Sequence, residues 1–335
     1  MSPRVLVTGA GGFIGRHTLA PLLAAGFEVH AVTSRPLRDE YPMLLVPPDD
    51  APRVLAPEVR WHRADLLAPG AAATLVAEVE PTHLLHMAWY TQPGAYWSAL
   101  ENFDWVYASL QLLRAFGERG GRRAVLAGTC WEYAWEDHTH CVEDASPAGP
   151  STRMRPATLY GAAKHSLHLV AESWAAQTGV ALAWGRIFYV YGPYEHPARL
   201  ASGVARALVR GEEVPCTHGM QVRDYLYTPE LGGAFATLLA SEVTGPVNMA
   251  SGEPVRVADL VCAIAAAAGR PELVRLGALP QRPGEPERLT ADVERLREEV
   301  GWNPSIGLAE GTARTVAWWR QALAAEAVPA LEATR

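Results

Sequence analysis

The stretch RVLVTGAGGFIGRHTLAPLLAAG, residues 4 to 26, constrains the fold more than any other. An apolar run ends in Gly9, Gly12 and Gly15, spaced G-x-x-G-x-x-G, and a helical pattern then runs to Gly26. In a strand–turn–helix these glycines permit a tight turn and a close backbone approach to a ligand, while the helix N-terminus favours negative charge. A glycine pattern alone is weak and also fits an ordinary turn. At the head of the first β–α–β unit it points to a dinucleotide pyrophosphate. Gly9, Gly12, Phe13, Ile14 and Gly15 are therefore the first candidate cofactor contacts.

The rest of the first half repeats that rhythm. FEVHAVTS, VRWHRADL, THLLHMAW, RAVLAGT and VALAWGRIF read as strands, and helical patterns cover ATLVAEVEP, 98–118 and 157–178 between them. Strands apolar on both faces, alternating with helices, mean a parallel sheet covered on both sides. The expected fold class is α/β: a Rossmann-type doubly wound parallel sheet with a smaller C-terminal α/β lobe. Beyond residue 188 proline and glycine become frequent and the alternation loosens. The expected division is a dinucleotide-binding domain over 1–188, with a return segment near 222–250, and a substrate lobe over 189–221 and 251–335. That lobe would close over the sheet's carboxyl edge, where open α/β sheets bind ligands. The Pro- and Asp-rich stretch 36–57 reads as a surface excursion.

Composition excludes several classes. The 335 residues are 49% apolar and carry a net charge of -7, which argues against a nucleic-acid binder. Arg119, Arg122 and Arg123 form a local basic cluster that reads as solvated surface. No apolar run approaches the ~20 residues that cross a bilayer, and no signal-peptide pattern precedes the first strand. Four scattered cysteines do not make a disulfide framework, so a reducing cytoplasm is expected.

The second strand bears on the cofactor. NAD sites of this kind place Asp or Glu about 20 residues past the glycines, to accept from ribose hydroxyls. Here the strand ends in Thr33, Ser34 and Arg35, without a carboxylate. Arg35, with Ser34 and Arg38, suits the 2′-phosphate of NADP through charge-assisted hydrogen bonds, although a loop arginine that tolerates NAD fits as well. Asp65 either meets the adenine amine or caps the next segment; Leu66 and Ala88 complete the expected cofactor wall.

Tyr160 and Lys164 stand four apart on a helical pattern and share a face. A nearby ammonium favours the phenolate and lowers a tyrosine pKa from about 10, which would let Tyr160 exchange a proton near neutrality. Y-x-x-x-K alone is common and fits a surface pair; behind a dinucleotide turn it is specific.

TGAGGFIG, the ADL after the third strand, HMAW, GTCWEY, TLYGAAK, RIFYVYGP, QVRDYLYTPE, VNMASGEPV and GWNP span nearly the whole chain. Together they resemble the extended short-chain dehydrogenase/reductase family, in the branch acting on nucleotide sugars. The resemblance implies Tyr160 as catalytic acid/base, Lys164 on the nicotinamide ribose and Thr129 on the reacting sugar oxygen. It implies Arg223, then Arg282, on the diphosphate, and a homodimer paired through the helices near 98–118 and 157–178. Dehydrating relatives carry Asp then Glu just after this threonine. Here Cys130 and Trp131 occupy those places and read as walls of the sugar pocket. Glu132 is shifted by one and, in an extended segment, points away. Tyr189 stands where many relatives have Asn touching the substrate phosphate.

GTCWEYAWEDHTHC also offers Cys130, His138, His140 and Cys141 as a metal or redox set. The C-x₇-H-x-H-C spacing does not suit structural zinc, and a Cys130–Cys141 disulfide does not suit a cytoplasmic chain. No metal is expected. The expected reaction is NADPH-dependent reduction of the 4-keto group of a nucleotide-linked 4-keto-6-deoxyhexose. An NAD-dependent 4-epimerase uses the same triad and is the alternative; a non-catalytic dinucleotide sensor is the alternative from another class.

Overall fold

A computed structural model describes residues 2–34, 58–135, 139–143, 152–281 and 284–332. Arg35, Arg38, His138, Arg282 and the stretch 36–57 lie outside the described residues.

The first half of the chain forms β1 (Arg4–Thr8), α1 (Leu19–Ala24), β2 (Glu28–Thr33), β3 (Arg60–Arg63), α2 (Ala71–Val79), β4 (His83–His86), α3 (Glu101–Glu118), β5 (Arg123–Thr129), β6 (Thr139–Cys141), α4 (Leu159–Thr178) and β7 (Ala181–Ile187). The second half forms β8 (Tyr189–Tyr191), α5 (Leu200–Arg210), β9 (Val214–Pro215), β10 (Val222–Tyr227), α6 (Thr228–Ala240), β11 (Gly245–Met249), β12 (Pro254–Arg256), α7 (Val257–Ala268), β13 (Val274–Arg275), β14 (Arg288–Ala291) and α8 (Leu308–Glu332).

Seven parallel strands make the main sheet, in the order β11-β7-β5-β4-β1-β2-β3. From β1 the chain steps one way to β2 and β3, then returns to β4 on the other side. Loops diverge at that switch and leave a crevice at the carboxyl ends of β1 and β4. Because side chains alternate along a strand, Val5 and Val7 face one core with Leu22, Leu231 and Phe235, while Leu6 faces the other with Val76, Leu112 and Phe116. Each such buried side chain contributes about 1.5–3 kcal/mol.

A smaller sheet runs β12-β10-β14-β6, with β8 also paired to β10. Beside it α5, α7 and α8 share a third core around Leu208, Leu260, Ile264, Val316 and Trp319. Among the described residues no helix is long and apolar enough to cross a membrane.

Two expectations need correcting. The first helix is not continuous from residue 13: Gly15–Thr18 is a 3₁₀ turn and only Leu19–Ala24 is α-helical. Pro21 has no N–H to donate to the His17 carbonyl, so the α-ladder lapses there, and Gly232 of α6 packs directly on that carbonyl. Arg123 is not solvated surface. It is buried, and its guanidinium donates to the carbonyls of Leu238, Leu239 and Val243.

Candidate active site

A cleft of about 1080 Å³ opens over the switch point, lined by the glycine turn, the tips of β2, β4 and β5, the start of α4, parts of 195–204 and 214–223, and Leu276, Leu279, Pro280 and Glu285. Gly9 holds φ +68, and a Cβ there would lie 2.7 Å from the Ala88 nitrogen. The turn closes with Gly12 N–H on the Gly9 carbonyl at 2.9 Å. Arg16 ties it from outside, donating to Gly11 O at 2.8 Å and Gly12 O at 3.0 Å. Backbone this tight against the tip of β4 is a cradle that side chains would fill, and its residues fit a dinucleotide pyrophosphate.

Gly9, Gly12, Phe13, Ile14, Gly15, Ser34, Asp65, Leu66 and Ala88 all line the cleft, as does Thr33. Asp65 also accepts from Leu67 N–H at 3.1 Å, so the capping role proposed for it is present in the fold.

Thr129 ends β5, and Tyr160 opens α4 two residues after Thr158, whose hydroxyl accepts from Gly161 N–H at 3.1 Å. Thr129 lies close enough to the Tyr160 phenol to favour its ionised form. Tyr160 sits against Tyr96 edge-on at 5.0 Å, with Trp97 at 6.1 Å and Trp89 at 6.5 Å. Lys164 lies one helical turn on, almost wholly buried; its ammonium donates to Ala127 O at 2.8 Å and rests 3.8 Å from the centre of the Trp89 ring.

The electrostatics depart from the sequence expectation. Burial raises the Tyr160 phenol rather than leaving it lowered by the lysine. The lysine pays the same desolvation: its pKa falls from 10.5 to about 7, with the Glu132 charge opposing the fall. A half-neutralised ammonium exerts too little field to outweigh burial of the phenol.

GTCWEY folds as a turn, not as an extension of β5. Cys130–Glu132 is one 3₁₀ turn closed by a capping box: Thr129 accepts from Trp131 N–H, and Glu132 accepts from Thr129 N–H at 2.8 Å. Glu132 is fully buried behind the cleft, bonded to Trp184 Nε1 at 2.9 Å and paired with Arg186 Nε at 3.0 Å. Gly128 makes room for this, since a Cβ there would collide with the Trp184 indole nitrogen. Cys130 and Trp131 line the cleft, and Trp131 packs on Trp97 at 3.8 Å and Trp135 at 3.3 Å between ring centres.

Cys130 and Cys141 are free buried thiols whose pKa values burial pushes up, that of Cys141 to about 12. His140 meets Thr290 Oγ1 at 3.0 Å. Among the described residues the one His/acid cluster close enough for a metal is Glu132, His165 and His168. The Arg186 guanidinium already neutralises that carboxylate.

Tyr189 lines the cleft from β8, where pairing with β10 sets it against Tyr225. Arg223 is also a lining residue, yet its guanidinium is engaged: it donates to Val222 O at 2.9 Å and Glu285 Oε1 at 3.0 Å, and lies over the Tyr189 ring.

Sequence reasoning missed three cleft residues. Trp89 stood within the HMAW motif without a role. Arg199 lies over the Tyr96 ring, its guanidinium carbon 5.8 Å from the ring centre, and near enough to Tyr160 to favour its phenolate. Glu195 is buried, accepts from Ser202 N–H at 3.0 Å, and is raised to about 7 chiefly by desolvation. No spacing rule flags Arg199 or Glu195, because both reach the cleft through the path of the 192–199 segment.

The family model for the NAD dependent epimerase/dehydratase family matches residues 5–250. A UDP-glucose 4-epimerase of Corynebacterium glutamicum is 28% identical over 90% of this chain and 91% of its own length. A dTDP-glucose 4,6-dehydratase of Streptomyces griseus is 26% identical over 96% and 95%. The solved UDP-glucose 4-epimerase of Thermus thermophilus, a complex with NAD, is 27% identical with a TM-score of 0.78, covering 95% of this chain and 99% of that one. With the glycine cradle, the Thr129–Tyr160–Lys164 arrangement and a family match over most of its length, this chain belongs to the NAD-dependent epimerase/dehydratase family.

Proposed function

We propose that the protein is a nucleotide-sugar 4-epimerase, and that the observation carrying this reading is Thr129 and Tyr160 lining one cleft with the glycine cradle, with Lys164 one helical turn on from Tyr160. A bound nicotinamide dinucleotide supplies a hydride acceptor and donor. Thr129 orients the C4 oxygen of the sugar, and Tyr160 takes its proton on oxidation and returns it on reduction. Lys164 holds the nicotinamide ribose. The epimerase relatives support turnover without net consumption of cofactor. Cys130 and Trp131 cannot supply the acid and base of a dehydration, because the thiol is buried and raised and the indole exchanges no useful proton.

A second reading rests on one observation. The tip of β2 brings Thr33 and Ser34 to the cleft where an NAD site would place a carboxylate. That favours NADP, and with it net reduction of a nucleotide-linked 4-keto-6-deoxyhexose. In both readings 1–188 with 222–250 holds the dinucleotide, 189–221 with 251–335 forms the nucleotide-sugar lobe, and Arg223, on β10 beside that lobe, meets the diphosphate. The intact triad argues against a non-catalytic sensor, which has no use for it. Phe103 and Tyr107 on α3 and Leu169 and Val170 on α4 are exposed apolar side chains that a second copy would cover.

The test incubates purified protein with UDP-glucose and NAD, and separately with dTDP-4-keto-6-deoxyglucose and NADPH or NADH. A UDP-galactose signal by NMR with cofactor unconsumed supports epimerisation. Stoichiometric NADPH oxidation replaces that reading with the reductase. Inversion of neither sugar and oxidation of neither cofactor would remove both.

A further inference from the structure

One residue beside the cleft holds a backbone conformation that its own side chain disfavours. Tyr194 has φ +68, in the left-handed region where bulky residues are outliers. It is the third residue of the turn Gly192–Pro193–Tyr194–Glu195, closed by Glu195 N–H on Gly192 O at 3.4 Å. Proline second and a left-handed residue third is the pattern of a type II turn, whose third place normally takes glycine or asparagine. The other non-glycine residue of positive φ among the described residues, Glu80, caps the C-terminus of α2. Tyr194 caps no helix. A left-handed tyrosine persists where its surroundings over-determine it, and such residues gather at functional sites.

The surroundings here reach in three directions. Arg16 lies over the Tyr194 ring, its guanidinium carbon 4.1 Å from the ring centre, and the same guanidinium holds the carbonyls of Gly11 and Gly12. Trp318 of α8 meets the ring edge-on at 4.9 Å. Trp318 in turn packs edge-on against Trp319 at 4.9 Å, whose Nε1 donates to Ser202 Oγ at 3.3 Å. Ser202 N–H donates to Glu195, the next residue after Tyr194, at 3.0 Å, and so closes the circuit. The segment held in this way brings Glu195, Pro197, Ala198 and Arg199 to the cleft. Arg199 there lies over Tyr96, which packs on Tyr160.

Resting on the dinucleotide seat assigned above, and on no particular sugar, we infer that Tyr194 is a positioning residue that locks segment 194–202 to the glycine turn through Arg16. A dinucleotide seated in the cradle then orders the wall of the cleft that carries Arg199. A guanidinium over an aromatic face supplies that attraction without a hydrogen bond, and an aliphatic side chain does not replace it.

Hydrogen–deuterium exchange on the full chain, with and without saturating NAD, tests the lock. NAD should slow exchange in the glycine turn and also across 194–202, the latter at least about fivefold, the low end of coupling between sites. Tyr194→Phe keeps the ring and should keep both effects. Tyr194→Leu and Tyr194→Gly should retain protection of the glycine turn and lose that of 194–202. The glycine variant separates positioning from folding, because glycine suits the left-handed place and leaves the turn unstrained. A role in the turn alone would leave Tyr194→Gly like the unsubstituted protein. Undiminished protection of 194–202 in the folded glycine or leucine variant would overturn the inference. So would protection of the glycine turn without any of 194–202 in the unsubstituted protein. If neither NAD nor NADP protects the glycine turn, the dinucleotide seat falls and the lock with it.

Discussion

Two cations are buried beside the end of β5, and they live in opposite surroundings. Arg186, opposite Gly128 in the sheet register, is paired with the Glu132 carboxylate, and both side chains are fully enclosed. Lys164, nearly as buried, has a backbone carbonyl and the face of Trp89 but, among the described residues, no carboxylate in contact. The difference is one of matching. A buried charge with a buried counter-charge and hydrogen bonds on its remaining sites is architecture. A buried charge without one is held near its titration point, here about 7, and stays available for proton and ligand chemistry. Lys164 stands one helical turn on from the cleft-lining Tyr160; Arg186 holds the Cys130–Glu132 turn through Glu132.

That contrast can be broken from the cleft side first. Tyr160→Phe should lower turnover about 10²–10⁴-fold, the range of a lost general acid–base, with NAD affinity and melting temperature little changed. Retained turnover in a stopped assay would separate Tyr160 from the chemistry altogether.

The rear pair should respond in stability. Glu132→Ala leaves Arg186 buried and uncompensated, a loss of about 3–5 kcal/mol to be read from chemical denaturation midpoints. If stability moved by less than 1 kcal/mol, roughly the scale of a surface pair, the pair would not be the buried anchor described above.

A smaller, pH-dependent effect sharpens the comparison. Unfolded, Lys164 keeps its proton up to about 10.5; folded, it loses it near 7. The unfolded chain thus binds more protons between those values, and stability rises with pH across that window. Lys164→Met should flatten this rise, measured as denaturation free energy at several pH values. Glu143 works in the opposite sense: burial raises its folded pKa from 4.5 to about 7, so its contribution falls as pH climbs through that range. An unaltered slope above pH 7 in Lys164→Met would mean that the lysine is solvated in solution.

Much of this was legible in the chain itself. Local pattern carried the parallel sheet and most of its helices, because alternation and glycine placement are short-range rules. One local misreading, the 3₁₀ turn at Gly15–Thr18 that delays the first α-helix to Leu19, follows from the N–H that Pro21 lacks, which was visible in the sequence but not weighed. Glu132 was expected to turn from the cleft by strand alternation. It does turn away, but through a capping-box turn and a partner 54 residues on, Arg186.

The sequence by itself determined the glycine turn, the Tyr160–Lys164 face and the presence of Cys130 and Trp131, neither of them a carboxylate, directly after Thr129, since each depends on residue type at fixed spacing. Only the tertiary structure decided the electrostatics. Burial, not the neighbouring ammonium, governs Tyr160. Trp89 caps Lys164, Glu285 already engages Arg223, and Arg199, Glu195 and Gln221 enter the cleft from segments far apart in the chain. Desolvation and ion pairing depend on what surrounds a group in three dimensions, and spacing along one chain does not record that.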